Sequence, residues 1–281
     1  MRVLVTGVKG QLGFDVCRRL SERGIPNTGV DIDDFDLTDQ QATFDAITAY
    51  APDVIVHCAA YTAVDKAESN PDICRKVNVD GTRHVALAAK HLDAKMVYIS
   101  TDYVFDGNGE LPFEVDAPIA PQNEYGITKA QGEAEVQALL TKYFIVRISW
   151  AFGLNGGNFV KTMMRLGKEK ESLNVVNDQI GSPTYTDDVA VLLCDMIDTN
   201  HYGIYHATNE GYCSWHEFAK FIMAEAKLAC KIFPVPTRDY PTPARRPFNS
   251  RLSKESLDKA DFPRLPSWQD AVQRYIKLLG D

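Results

Sequence analysis

The chain opens on an apolar run, Val3-Leu4-Val5-Thr6, and the alternation it begins recurs through the first half of the molecule. Residues 2–6 read as a buried strand. Residues 11–23 read as a helix with Leu12, Val16 and Leu20 on one face, ended near Gly24. Thr28–Asp31 is a second short strand, 40–50 a helix stopped by Pro52, and Val54–Cys58 a third strand. Pro71 suits the first turn of a long helix reaching about Leu92. Met96–Ser100 is a fourth strand, Tyr125–Leu140 a helix, and Phe144–Ser149 a fifth strand. Short apolar strands alternating with helices predict an α/β fold, a doubly wound parallel sheet of Rossmann type with right-handed crossovers and helices on both faces.

The regularity fades after Trp150. Val175-Val176 reads as a strand, Asp187–Thr199 as a helix, Pro234–Pro247 as a turn-rich stretch and 267–279 as a last helix. The predicted organisation is a dinucleotide-binding domain over 1–148, completed by about 175–200. A smaller, less regular α/β substrate domain comes from 149–174 and 201–281. In open α/β sheets ligands lie beyond the carboxyl ends of the strands, so the residues that follow each strand are the candidates.

Composition narrows the partners. The chain has 281 residues, 45% of them hydrophobic, and a formal net charge of -8. A net negative chain is a poor partner for nucleic acid or an anionic membrane, so neither is expected. The six cysteines, Cys17, Cys58, Cys74, Cys194, Cys213 and Cys230, form no CxxC pair and read as reduced, mostly buried thiols. With no signal-peptide pattern and no long apolar run, the expected location is cytoplasmic.

The first strand ends in Gly7-Val8-Lys9-Gly10-Gln11-Leu12-Gly13, a GxxGxxG turn leading into a helix. Such a turn lets backbone approach a pyrophosphate while the helix N-terminus points N–H groups at its charge. After the second strand, Asp31 can accept hydrogen bonds from adenosine ribose hydroxyls and would repel a 2′-phosphate. No Arg or Lys between Thr28 and Gln41 offsets that charge, which favours NADH over NADPH. After the third strand, the small Ala59 and Ala60 followed by Tyr61 and Thr62 permit close approach of the cofactor.

After the fourth strand comes Thr101, and Tyr125 and Lys129 stand four apart on one helix face. A carbonyl that receives hydride needs a proton donor for its oxygen. A tyrosine, with an ordinary pKa of about 10, does this poorly unless a nearby ammonium stabilises its phenolate. Lys129 supplies that cation and can also hydrogen-bond the nicotinamide ribose, while Thr101 can donate to the carbonyl oxygen.

The set Gly7/Gly10/Gly13, Thr101 and Tyr125-xxx-Lys129 resembles that of the extended short-chain dehydrogenase/reductase family. Longer stretches are similar to its dTDP-4-dehydrorhamnose reductase branch. They include Gly10–Gly13, Ala59–Glu68, Ser100–Gly107, Tyr125–Lys129, Arg147–Trp150, Asp178–Thr184 and Ala244–Pro247. The resemblance covers nearly the whole chain. It implies reduction of the 4-keto group of dTDP-4-dehydro-L-rhamnose by NADPH or NADH, with Tyr125 as proton donor, Lys129 as its tuner and Thr101 as carbonyl partner. By the same resemblance Gly10, Gln11 and Leu12 sit at the pyrophosphate, and Asp31, Asp36 and Leu37 at the adenosine end. Ala60, Tyr61 and Thr62 fall between cofactor and sugar, Asp102, Val104 and Trp150 line the sugar, and Arg246 contacts a substrate phosphate.

Some family members dimerise around a carboxylate-held metal such as Mg2+. Asp15 falls where one ligand could be, but it reads as a solvated carboxylate on an exposed helix, so no required metal is predicted. A monomer and a homodimer both fit. Ala151-Phe152-Gly153 departs from the Tyr-Gly ending more usual after this Trp. Two other readings of the same motifs are a nucleotide-sugar epimerase or dehydratase and a non-catalytic NADP-binding regulatory subunit resembling that of methionine adenosyltransferase. A dehydratase would want a carboxylate pair beside Thr101, and Asp102 is followed by Tyr103.

Overall fold

The computed structural model of the chain describes residues 1–280. Six strands, β1 (Val3–Thr6), β2 (Asn27–Val30), β3 (Val54–His57), β4 (Lys95–Thr101), β5 (Tyr143–Ile148) and β6 (Gly203–His206), form one sheet in the order β6-β5-β4-β3-β1-β2. Every neighbouring pair is parallel. The chain runs outward from β1 to β2, then returns to β3 on the other side of β1. The crevice opens at that reversal, as such sheets require.

The sheet is covered on both faces because its strands alternate. Val3, Val5, Val54, Val56, Val97, Phe144 and Val146 face one core with Leu12, Val16, Leu20, Val189 and Leu193 from the helices Gln11–Glu22 and Thr186–Ile197. Leu4, Ile55, Met96, Tyr98 and Ile145 face the other, against Ile47, Val85, Ala89 and Val136. Each buried aliphatic side chain contributes about 1.5–3 kcal/mol, and together they hold the loops at the sheet's carboxyl edge in place.

The strands and helices of the first half fall within a residue or two of their predicted bounds. Three segments differ. The strand Gly203–His206 joins the main sheet beside β5, although the sequence reading ended that domain near 200. As an edge strand it is only half-buried at its start, so it carries no continuous apolar run. Conversely, Ser172–Val176 pairs in parallel with Lys231–Val235 in a separate two-stranded sheet.

The third difference is the helix predicted from Pro71 to about Leu92. It divides into Pro71–Arg75, a wide π-helical turn at Lys76–Gly81, and Thr82–His91, with a separate short helix Val64–Ser69 before it. Asn78 is buried in the wide turn, with its side chain hydrogen-bonded to Thr128 on the helix Glu124–Leu139.

Beyond β5 the chain builds a second core. The helices Phe159–Glu169, Trp215–Glu225 and Trp268–Gly280 pack around Phe152, Tyr185, Phe218, Trp268 and Tyr275. Among the described residues no helix is long and apolar enough to cross a membrane.

Candidate active site

A cleft of about 700 Å³ follows the carboxyl edge of the sheet from β2 to the second core. At one end lies the glycine turn. Gly7 has φ +71°, and a Cβ there would come within 2.6 Å of Ala59 N. A Cβ on Gly13 would stand 2.3 Å from Gly7 O. Only glycine lets the turn pack this tightly on the loop after β3 while leaving the helix N-terminus open to the cleft. This backbone cradle and the open volume beside it fit a dinucleotide pyrophosphate.

Asp31, Asp36 and Leu37 line the adenosine end, and Ala59, Ala60, Tyr61 and Thr62 line the middle with Gln11 and Leu12. The Asp31 carboxylate does more than face the ligand: its Oδ2 accepts from Lys9 N at 2.9 Å and ties the glycine turn to β2. Lys9 is a residue the sequence reading overlooked. Its ammonium crosses to the acidic loop and pairs with Asp33, so a cation does reach this end of the cleft, from the glycine turn.

Asn78 was also missed. Its Oδ1 accepts from Tyr61 N at 2.8 Å, and its Nδ2 donates to Thr128 Oγ1 at 3.1 Å. The wide turn thereby fastens the cofactor-side loop to the helix that carries Tyr125 and Lys129. Nothing in the local spacing of the sequence announces this. The only signal is a polar residue at an inward position of an otherwise amphipathic helix.

Thr101, Tyr125 and Lys129 come together at the centre of the cleft. Thr101 ends β4, and Asn123 caps the helix that carries Tyr125 and Lys129 by accepting from Gly126 N at 2.8 Å. Burial, and then the Asp102 charge, push the Tyr125 phenol well above its ordinary range, while Thr101 acts the other way. Lys129 is buried too, and desolvation pulls its ammonium down to about 7. Its Nζ rests 4.0 Å from the centre of the Tyr98 ring. Lys129 is not among the groups that shift the phenol, and its ammonium sits over the Tyr98 ring.

The sugar end is walled by aromatic residues. Trp150 takes φ +48°, rare for a bulky residue, and stacks on Trp215 with ring centres 3.8 Å apart and planes 17° apart. Gly181 lies beneath it, where a Cβ would come 2.9 Å from the indole. Asp102 borders the cleft, but its carboxylate is turned inward, with Oδ1 on Thr101 Oγ1 and Oδ2 buried.

Two expectations, for Val104 and Asp15, are corrected, and Arg246 is placed at the edge of the site. Val104 does not line the sugar: its side chain is fully buried with Phe105 and Leu252. The reason is the 3-10 turn Asp102–Val104, which rotates it away from the cleft. Arg246, partly exposed beside Tyr103, donates to Asp65 Oδ2 at 2.6 Å and to Tyr103 Oη at 2.9 Å and is not among the residues lining the main cleft. Asp15 is not solvated. It is fully buried, accepting from Thr186 Oγ1 at 2.6 Å, because the helix Thr186–Ile197 covers that face.

The parallel sheet with a glycine cradle at its reversal point defines a dinucleotide-binding protein of the Rossmann fold, with Thr101, Tyr125 and Lys129 gathered in its cleft. A family model described as RmlD substrate binding domain matches residues 1–280. The chain belongs to this family, that of the dTDP-4-dehydrorhamnose reductases. The dTDP-4-dehydrorhamnose reductase of Escherichia coli K12 is 39% identical, over 99% of this chain and 98% of its own. The crystal structure of a dTDP-4-dehydrorhamnose reductase from Clostridium acetobutylicum shares 40% identity and a TM-score of 0.98 over 100% of both chains. That of the Bacillus anthracis dTDP-4-dehydrorhamnose reductase, in complex with NADP, shares 42% identity and a TM-score of 0.96 over 99% of both. The family's cofactor is NAD(P)H.

Proposed function

We propose that this chain reduces the 4-keto group of dTDP-4-dehydro-L-rhamnose to dTDP-L-rhamnose. The observation that carries the reading is one continuous cleft, with a glycine cradle at one end, an aromatic wall at the other, and a phenol, a hydroxyl and a buried ammonium between them. NADPH or NADH, when bound, supplies the hydride. Tyr125 gives its proton to the oxygen that gains charge. Lys129, whose Nζ lies over the Tyr98 ring, would hold a ribose hydroxyl of the bound cofactor and place its charge near the phenol. There the cation stabilises the phenolate that proton donation leaves behind. Trp150, held flat by Trp215, gives the sugar ring a face to pack on. Arg246 acts indirectly by fixing Tyr103, which lines the cleft. The enzyme works in the cytoplasm as a monomer or homodimer on a dTDP-sugar, without a required metal.

Purified chain given dTDP-4-dehydro-L-rhamnose should oxidise one NADPH or NADH per sugar. Tyr125→Phe should lower kcat by about 10²–10⁴-fold while NADPH still binds. Isomerisation of the sugar with no net loss of reduced nicotinamide would overturn the reading in favour of an epimerase.

A further inference from the structure

The Thr101 hydroxyl carries one hydrogen and two lone pairs, and the structure engages the hydrogen and one of the lone pairs. The hydrogen goes to Asp102 Oδ1 at 3.0 Å. One lone pair accepts Tyr103 N–H at 3.2 Å. The other lone pair accepts no hydrogen bond among the described residues. With Asp102 ionised, Thr101 has no donor left for a substrate carbonyl, although the proposed reaction asks it for one.

We propose that Asp102 is a positioning residue that arms Thr101, and that the arming state is the protonated carboxyl. With a hydrogen on Oδ1, Asp102 donates to Thr101 Oγ1, the bond between them reverses, and the Thr101 hydrogen turns into the cleft. The proton comes from solvent and stays on the carboxyl. Nothing is consumed, and no covalent bond other than that O–H changes.

The surroundings favour this state. Asp102 is 3% exposed, and its Oδ2 and the Ser250 hydroxyl are both buried with no well-formed hydrogen bond between them or to any other side chain among the described residues. A buried carboxylate oxygen so weakly paired is costly in its charged form and far less so in its neutral one. The groups facing it come from several elements. Thr101 lies on β4, Tyr125 on the helix Glu124–Leu139 and Tyr103 on the 3-10 turn. Ser250, on the short strand Asn249–Ser250, and the more distant Arg246 guanidinium both act to lower the carboxyl. Burial outweighs them and lifts it to about 6. A cofactor and sugar closing the cleft expel more water and move it further the same way.

Because the carboxylate oxygens are withdrawn from the cleft, Asp102 acts through Thr101, which separates this role from a direct contact with the sugar. The inference rests on the reading of Thr101 as carbonyl partner, and the test keeps the two apart. With NADPH and dTDP-4-dehydro-L-rhamnose, kcat of the unmodified enzyme should fall with rising pH as Asp102 ionises, approaching about tenfold per unit. Asp102→Asn, whose amide can donate to Thr101 at any pH, should lose that limb. Ser250→Ala, which removes a hydroxyl that lowers the carboxyl, should move the limb to higher pH and keeps the test decisive if Asp102→Asn does not fold. An infrared difference spectrum with NADP+ and dTDP-L-rhamnose bound should show a protonated carboxyl that Asp102→Asn lacks. Thr101→Val should lose at least about tenfold in kcat. Full activity in Thr101→Val overturns the carbonyl-partner reading and with it this inference. An impaired Thr101→Val together with an unmoved limb in Asp102→Asn or Ser250→Ala overturns the inference alone.

Discussion

The two ends of the cleft are made from different materials. The cofactor end is backbone and aliphatic side chains: parallel strands, a glycine turn and a helix N-terminus, all set by one buried sheet. The sugar end is aromatic and is joined by side chains acting over long sequence separations. Asn249 Nδ2 donates to Leu111 O at 2.8 Å, Ser149 Oγ to Ser182 O at 2.9 Å and Tyr275 Oη to Gly153 O at 2.5 Å. Its strands are two residues long at Ala151–Phe152, Ile180–Gly181, Thr184–Tyr185 and Asn249–Ser250. A pyrophosphate is served by backbone N–H groups, which any sequence supplies once the turn is right. A sugar ring needs a flat apolar face and polar groups at fixed points, which only chosen side chains give.

That contrast can be broken most forcefully at Phe218. Its ring is 1% exposed and packs near Trp150, Phe152, Phe159 and Trp268. Phe218→Ala should cost about 3–5 kcal/mol of stability, the range for a buried aromatic truncated to a cavity. If the sugar end is a separate aromatic core, NADPH affinity in the folded variant should hold while KM for the dTDP-sugar rises. Denaturant melts together with NADPH titration test both halves of this statement. A variant that loses sugar and cofactor affinity alike would show one core rather than two.

A second, smaller effect sharpens the comparison from the cofactor side. Lys129 Nζ lies on the Tyr98 ring with its pKa lowered to about 7 by burial. An anionic cofactor stabilises the ammonium, so its pKa rises on binding. At pH 8, above the free value, binding must then take up protons, and affinity must fall as pH climbs above 7. Lys129→Met should weaken NADPH binding by about tenfold, roughly 1.4 kcal/mol. It should also abolish the proton uptake, read by calorimetry in two buffers of different ionisation enthalpy. Uptake that persists in Lys129→Met would assign the titration to another group.

The same contrast explains what could be read before the fold was seen. The apolar runs of β1 to β5 and the glycine spacing are local signals, and so is Tyr125 four residues before Lys129. They foretold the Rossmann sheet, and the residues they singled out, Thr101, Tyr125 and Lys129, meet in one cleft. The strand Gly203–His206 escaped because an edge strand buries only part of itself. Trp215 escaped because its partner Trp150 is remote in sequence and stacking leaves no periodic trace. Asn78 was hidden in a helix that the pattern read as continuous. Val104 was placed at the sugar by resemblance, but the 3-10 turn after Thr101 rotates it into Phe105 and Leu252. Asp15 read as solvated since nothing near it in sequence foretells that Thr186 covers it.

The smallest expected effect concerns the reductant. From sequence, Asp31 stood without a compensating cation and NADH was favoured. In the structure Lys9 brings an ammonium from the glycine turn to the acidic loop, and Asp31 holds the backbone of that same residue. A 2′-phosphate beside Asp31 would compete with Asp33 for Lys9, so the cation offsets the repulsion only in part. Lys9 is highly exposed, and an exposed pair is screened by water and salt. Lys9→Met should therefore raise KM for NADPH only about threefold and leave NADH nearly unchanged, an effect that shrinks at high salt. Asp31→Ala removes a repulsive charge and also unties the glycine turn. It should weaken both cofactors while shifting their ratio toward NADPH. Equal changes for NADH and NADPH in Lys9→Met would take the lysine out of cofactor choice and leave Asp31 alone to set it.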